Sequence, residues 1–120
     1  TTYGGNPFAA AAINAVFDQF EKLQVPEHAK EIGAYLWDKL EELKERHDCI
    51  TGHRGIALMQ GLEFDADHPV GDIVKKALEK GLILISAGNN VIRFVPPLVI
   101  TKADVDEMIV RLKKSLDSCR

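Results

Sequence analysis

Residues 82–97 read LILISAGNNVIRFVPP, two apolar runs separated by a polar turn. The first run, 82–85, is typical of a buried strand, and the alternation over 91–95 is typical of a second strand. The intervening Ala-Gly-Asn-Asn is typical of a tight turn, so the two strands are predicted to form a hairpin. Pro96 and Pro97 then end the pairing, because proline has no N–H to donate to a neighbouring strand.

A second β-rich segment lies upstream, between residues 50 and 64. It mixes Gly52, Gly55 and Gly61 with aliphatic residues, which predicts strands with a turn or a bulge. Between the two β segments, a short helix is predicted over about residues 70–80, with Gly81 as its C-terminal stop.

Helices are predicted at both ends of the chain. Asn6 and Pro7 are a strong helix start, with asparagine as the N-cap and proline at the first helical position. Pro26 ends that helix and opens a second one, and Thr101 caps a last helix with Asp104 three residues on. The order is therefore α-α-β-β-α-β-β-α, which predicts an α+β (mixed α/β) fold with helices on one side of a small, mostly antiparallel sheet.

Composition restricts the class of protein. The chain has 120 residues, 46% of them apolar and 28% charged, with a formal net charge of −3. These values predict one ordinary globular domain without a general attraction to nucleic acid. No apolar run approaches the roughly 18–20 residues of a membrane span, and no leader is recognised. Cys49 and Cys119 show no framework spacing, which predicts reduced thiols and a cytoplasmic protein.

The segment Thr1-Thr2-Tyr3-Gly4-Gly5-Asn6-Pro7 is the first candidate site. Glycine backbone and short hydroxyls at the start of a helix suit a phosphate or another anion. A plain glycine turn with an N-cap is the alternative, and the local pattern alone favours it. A domain rarely opens on its best-organised loop, so the chain is interpreted as the C-terminal part of something longer.

Arg93, within the predicted second strand of the hairpin, is the second candidate. A guanidinium at a strand end is suited to bidentate recognition of a carboxylate. The alternative is an edge-strand arginine that forms a salt bridge or lies in solvent.

The other polar residues are predicted to be structural, without a metal site or a catalytic nucleophile. Two groups lack the ligand number or spacing that zinc or calcium requires: His47, Cys49 and His53, and Asp65, Asp67 and His68. His28 is expected to be exposed, and Arg54-Gly55 is interpreted as a tight turn whose arginine caps nearby carbonyls.

Three segments together resemble one family. Residues 1–7, TTYGGNP, resemble the (S/T)-T-(F/Y)-G-G-N-P segment of class III pyridoxal-phosphate (PLP) aminotransferases. Residues 53–61, HRGIALMQG, are similar to their R-G-x-G-L-M-x-G strand, with Ala57 in place of the usual glycine. Residues 87–98, AGNNVIRFVPPL, look like their A-G-x-N-V-I-R-F-x-P-P-L. The motifs occur in family order, and the acetylornithine and ornithine aminotransferase branch looks most similar.

The resemblance implies a fold type I enzyme of the arginine-biosynthesis type. Residues 1–25 would be the cofactor-phosphate loop and the helix leaving a large domain, and residues 26–120 the small C-terminal domain. Thr2, with Thr1, would bind the PLP phosphate of the neighbouring subunit of a homodimer. Arg93 would bind the substrate α-carboxylate as an amino group moves from an ornithine-type ω-amine to 2-oxoglutarate.

The resemblance also implies what these residues do not supply. The family's Schiff-base lysine lies upstream of the matching region, so no residue here is assigned a catalytic role and the 120 residues alone are expected to be inactive. A freestanding, non-catalytic module that binds a carboxylate or a partner is the competing hypothesis. A natural mass of roughly 40 kDa would favour the enzyme over the module.

Overall fold

The computed structural model describes residues 1–116. Its elements, in chain order, are α1 (Pro7–Lys22), α2 (Val25–Arg46), β1 (Ile50–Ile56), β2 (Met59–Phe64), α3 (Val70–Glu79), β3 (Ile85–Ala87), β4 (Val91–Phe94) and α4 (Lys102–Ser115). This order confirms the predicted sequence of elements. Within the described residues, no helix combines the length and apolar character needed to cross a bilayer.

The strands form one antiparallel sheet in the order β1-β2-β4-β3. Helices α2, α3 and α4 cover one face of it, as their buried side chains share a core with Leu62, Ile92 and Phe94 of the central strands. The opposite face is uncovered, because Ile56 and Met59 are largely exposed there. The α+β prediction, with helices on one side of the sheet, is therefore confirmed.

The start and end of the helices follow the predicted capping chemistry. The Asn6 side chain accepts from the N–H of Ala9, and Pro7 occupies the first turn of α1. Thr101 and Asp104 form a complete capping box at α4. These contacts span three residues, so their signal is local and can be recognised in the sequence.

The first strand of the predicted hairpin differs from expectation. β3 spans only Ile85–Ala87, and the buried strand predicted over 82–85 does not form. The N–H of Leu82 instead donates to the carbonyl of Ala77 at 2.8 Å, which closes the end of α3. Of the predicted run, Leu84 is buried whereas Ile83 is 80% exposed, and both residues precede β3.

Asn90 holds the turn of that hairpin and joins it to α3. Its φ of 57° is left-handed, a conformation that asparagine tolerates better than most residues. Its Oδ1 accepts from the N–H of Val70 at 2.8 Å, and its Nδ2 donates to the carbonyls of Phe64, Asp65 and His68. One side chain thereby pairs with backbone carbonyls of the loop before α3 and with a backbone N–H in the first turn of that helix.

Helix α1 forms as predicted, but its apolar side chains are not buried. None of its residues is buried, and Phe8 and Phe17 are 86% and 65% exposed. The core cluster contains no α1 residue. The capping signal of Asn6 and Pro7 predicted the helix correctly and did not show what the helix packs against.

Ala57 carries backbone strain that a glycine would relieve. It lies in the turn between β1 and β2 with φ of 48°. Left-handed backbone costs an L-residue about 1–2 kcal/mol, and this is the position at which the resembling motif has glycine. We expect Ala57→Gly to raise the free energy of unfolding by about 1 kcal/mol, after the flexibility of glycine is subtracted.

Chemical denaturation of Ala57→Gly beside Ala34→Gly measures this effect. Ala34 is an exposed residue inside α2, where the same change should cost about 1 kcal/mol. Equal losses in the two variants would contradict the assignment of strain to Ala57.

Candidate functional site

One row of residues crosses the uncovered face of the sheet. The antiparallel registers pair Arg54 of β1 with Gly61 of β2, Gly61 with Arg93 of β4, and Arg93 with Ile85 of β3. Because Gly61 has no side chain, the position between the two arginines is open. The row therefore places one guanidinium group on each side of a gap in the sheet surface.

A cavity of about 310 Å³ lies over this gap. We call it the Arg93 cavity; its lining includes Arg54, Ile56, Met59, Gly61 and Arg93. Arg93 also borders a second cavity, of about 330 Å³, between the β3–β4 hairpin and the Pro96-Pro97 segment. Both cavities place apolar side chains beside Arg93, among them Ile56, Met59 and Phe94.

The two arginines differ in what they bind. Arg54 forms an ion pair with Glu63, two residues from Gly61 on the same face of β2. Among residues 1–116, no carboxylate forms an ion pair with Arg93. Arg93 is exposed, whereas its neighbours Ile92 and Phe94 are buried. The guanidinium of Arg93 therefore retains its full set of donors for a ligand.

Arg54 does not act as predicted. It is a strand residue rather than a turn residue, and it binds a carboxylate rather than capping carbonyls. The β1–β2 turn lies further along, at Ala57 and Leu58. Neither residue is a usual turn former, so the chain offers no local signal for the turn position.

The opening turn uses most of its own polar groups. Thr1 Oγ1 accepts from the N–H of Gly4 at 2.9 Å, and Asn6 Nδ2 donates to the carbonyl of Tyr3 at 2.8 Å. Asn6 Oδ1 takes the N–H of Ala9 at 2.9 Å. This is the capped turn of the alternative interpretation, and it leaves fewer backbone donors for an anion than the sequence suggested.

Thr2 is the exception in that turn. It is exposed, and within the described residues its hydroxyl makes no hydrogen bond. Thr2 does not line either cavity that reaches Arg93. The structure thus leaves both predicted binding residues available and does not bring them together.

The histidines make local contacts. His28, predicted to be exposed, is half-buried with Nε2 2.9 Å from the carbonyl oxygen of Ile100. His68 Nδ1 lies 2.7 Å from Asp65 Oδ1, and this hydrogen bond is the main cause that holds the pKa of Asp65 below its ordinary value. Within the described residues, no three His, Cys, Asp or Glu side chains gather as a metal site.

Of the two cysteines that are predicted to be reduced thiols, the structure describes one. Cys49 is buried in the core. Cys119 lies outside the described residues.

Behind the Arg93 cavity lies a buried polar cluster that the sequence did not predict. The imidazole of His53 is fully buried and lies between Glu41 of α2 and Gln60 of β2. His53 and Gln60 both face the helices from neighbouring strands of the hairpin. Once the turn is placed at residues 57 and 58, the alternation of side chains puts them on one face.

Comparison with known proteins gives one consistent result. The family described as aminotransferase class III matches residues 1–116. The acetylornithine aminotransferase of Caldanaerobacter subterraneus subsp. tengcongensis is 41% identical over 120 residues, which cover 100% of this chain and 30% of that protein. The acetylornithine aminotransferase of Gloeobacter violaceus is 44% identical over 114 residues, with coverages of 94% and 28%.

A solved structure agrees with the sequence relatives. The PLP-bound form of an amine transaminase from an uncultivated Pseudomonas species superimposes with a TM-score of 0.90 at 30% identity, covering 100% of this chain and 29% of that one. The chain spans about 30% of the length of the curated relatives it matches.

Proposed function

The chain belongs to the aminotransferase class-III family, and on that premise we propose that it forms the substrate-carboxylate part of a PLP-dependent transaminase. The amino donor would be N-acetylornithine or a similar ornithine-type ω-amine, and the acceptor 2-oxoglutarate. The acetylornithine aminotransferases among its relatives support this choice of donor. Within the family unit, residues 1–25 would be the cofactor-phosphate loop and exit helix, and residues 26–120 the small domain.

The observation that carries the proposal is the unpaired guanidinium of Arg93. It lies at a cavity of about 310 Å³ whose opposite wall holds Arg54, already neutralised by Glu63. A planar fork of donors in apolar surroundings is suited to a carboxylate, which accepts two parallel hydrogen bonds from it. Arg93 would bind and orient the α-carboxylate of glutamate or 2-oxoglutarate.

The cofactor phosphate would be held through Thr2. Its exposed hydroxyl, free of hydrogen bonds within the described residues, precedes the positive end of the α1 dipole. Thr1 would position the turn, since its own hydroxyl already accepts from Gly4. When bound, PLP supplies the electron sink for transamination.

We propose a homodimer, and the positions of Thr2 and Arg93 support it. Because Thr2 does not line the cavities at Arg93, we infer that it serves the cofactor of a neighbouring subunit. The exposed apolar side chains of α1, including Phe8 and Phe17, support a helix that packs against further protein.

A transamination assay of the natural protein tests the proposal. With N-acetylornithine as donor and 2-oxoglutarate as acceptor, we expect glutamate to form, and we expect no product when the acceptor is omitted. An absence of glutamate with every ornithine-type ω-amine offered would contradict the proposed function.

The 120 residues by themselves are expected to be inactive. Transamination requires a lysine that forms an imine and moves the proton at Cα, and no lysine of this chain matches that family position. We expect that the isolated chain, mixed with PLP, forms no glutamate, and that subsequent borohydride reduction traps no PLP on a specific lysine. A trapped adduct together with measurable glutamate formation would show that this assignment is wrong.

A non-catalytic carboxylate-binding module is the second candidate. One observation favours it: the buried core is complete within α2–α4 and the sheet, and includes nothing from α1. The mass of the natural protein distinguishes the two, since a native product of 13.3 kDa would be the module. A product of roughly 40 kDa would be the enzyme.

A further inference from the structure

The buried His53 side chain lies between two acceptors. Its Nδ1 is 2.6 Å from Glu41 Oε1, and its Nε2 is 3.1 Å from Gln60 Oε1. The ring stacks on Trp37 with centroids 3.8 Å apart and planes inclined by 25°. The imidazole is 0% exposed, so no solvent reaches either nitrogen directly.

The orientation of Gln60 follows from its other contacts. Its Nε2 donates to the carbonyl of Gly33 at 2.8 Å and to the carbonyl of Ala57 at 2.6 Å. Carbonyl oxygens only accept, so the amide nitrogen must face them and Oε1 must face His53. A flipped amide would bring its oxygen against two carbonyls in a side chain that is 2% exposed.

Both ring nitrogens of His53 therefore need a proton to donate. A neutral imidazole carries one N–H, which would leave one buried acceptor without a donor. We propose that His53 is a buried imidazolium that fastens the β1–β2 turn to α2 and thereby positions the wall of the Arg93 cavity. This inference rests on the proposed function where it concerns substrate, and on the contacts of His53 with Gln60 and an ionised Glu41 where it concerns protonation.

A neutral alternative would place the second proton on Glu41. The hydrogen bond from His53 is the largest influence on the Glu41 carboxyl and holds its pKa below the ordinary value, although burial acts in the opposite direction. Lys44, whose Nζ is 3.6 Å from Glu41 Oε2, lowers it further. An ionised Glu41 leaves the imidazolium as the form that satisfies every group in the cluster.

The charged side chains around His53 come from α2 and from the two strands of the β1–β2 hairpin. Helix α2 contributes Glu41 and Lys44, and both Gln60 and the turn carbonyl are neutral. Arg54 and Glu63 lie on the opposite face of the sheet and pair with each other. The carboxylate of Glu41 is thus the charge in direct contact with His53.

The cluster acts on the cavity through the turn. Gln60 bridges α2 and the carbonyl of Ala57. Ile56 and Met59, which flank the turn, line the Arg93 cavity together with Gln60. If His53 loses its second proton, Gln60 loses its donor and one restraint on this wall is released. His53 is therefore a positioning residue for the substrate carboxylate.

Nitrogen-15 NMR of the histidine-labelled protein at pH 7 tests the protonation directly. We expect both ring nitrogens of His53 to carry protons, with the ring assigned through its contacts to Trp37. A spectrum with one unprotonated nitrogen would overturn the inference, whether or not the protein is a transaminase. Because this readout needs no activity, failure of the proposed function leaves it interpretable.

A matched pair of substitutions on α2 sharpens the test. Glu41→Gln keeps an acceptor and a donor beside Nδ1 but removes the charge, so we expect His53 to lose its second proton. Glu42→Gln removes a neighbouring carboxylate that pairs with Arg46, and we expect it to leave His53 unchanged. Identical spectra for the two variants would contradict the role of the Glu41–His53 contact.

The positioning role has its own kinetic readout. In the natural transaminase, His53→Phe keeps an aromatic ring against Trp37 but removes the donor to Gln60. It should raise the KM for glutamate about three- to tenfold with kcat within about twofold, because the cavity wall binds substrate without reacting. A fall in kcat with KM unchanged would overturn the positioning role.

The acid stability of the two α2 variants has a defined sign. Because the folded pKa of Glu41 lies below its ordinary 4.5, the stabilisation from this carboxylate is complete above that pH and is lost as the pH falls through the folded value. Glu41→Gln should therefore show a shallower acid decline in stability than Glu42→Gln. Equal declines would count against the contact.

Discussion

If the protein is the transaminase proposed above, replacing Arg93 with lysine is expected to raise the KM for glutamate about tenfold, and replacing it with glutamine about a hundredfold. Hydrogen bonds to a charged group contribute about 1.5–3 kcal/mol, which corresponds to factors of roughly 10 to 150. Lysine retains the charge but loses the two-pronged geometry, whereas glutamine loses both. Neither change should disturb the fold, because residue 93 is exposed on an uncovered sheet face.

Two comparisons make this result specific to the carboxylate. In the half-reaction with an amine donor that lacks a carboxylate, Arg93→Lys should leave the KM unchanged. Arg46→Lys provides a control on α2, where the guanidinium pairs with Glu42 away from the Arg93 cavity. Unchanged glutamate kinetics in both Arg93 variants would refute the assignment of Arg93 as the carboxylate-binding residue.

Replacing Gly33 with alanine is expected to lower the free energy of unfolding by roughly 3 kcal/mol, at the upper end of ordinary overpacking. A Cβ at this position would lie 2.4 Å from the carbonyl carbon and 2.5 Å from Cα of Ala57. These are backbone atoms, so α2 and the β1–β2 turn would have to separate. The separation would also break the bonds that Gln60 makes to Gly33 and Ala57.

Gly71→Ala is the matched control for this prediction. Gly71 lies in α3, and a Cβ there would meet nothing within 4 Å. Alanine is the better helix former, so this change should raise the stability by up to about 1 kcal/mol. Denaturant midpoints of the two variants should move in opposite directions; a midpoint for Gly33→Ala at or above that of the unsubstituted protein would show that the contact is not tight.

Much of the fold was predictable because its signals are local. Asn6 with Pro7 and Thr101 with Asp104 act over three residues. The turn at Asn90 similarly requires a residue that tolerates left-handed backbone. Family resemblance then pointed to Thr2 and Arg93, and the structure leaves both side chains available.

The errors concern local contacts that residue type and spacing do not reveal. Residues 82–84 have the composition of a strand, yet Leu82 completes the end of α3 through Ala77. Arg54 was read as a turn residue because the turn beyond it contains Ala57, which lacks the usual turn chemistry. In both cases the outcome depends on a partner that sequence spacing does not identify.

The sequence by itself determined the element order, the helix caps and the family, because each depends on residue types within a few positions or on a set of motifs in order. Only the tertiary structure decided that Gly61 opens a gap between Arg54 and Arg93 and that His53 is enclosed by Glu41 and Gln60. Strand register and the approach of α2 to the sheet set these neighbours. Both are consequences of packing the whole core, since a one-residue change of register would turn every one of these side chains to the other face.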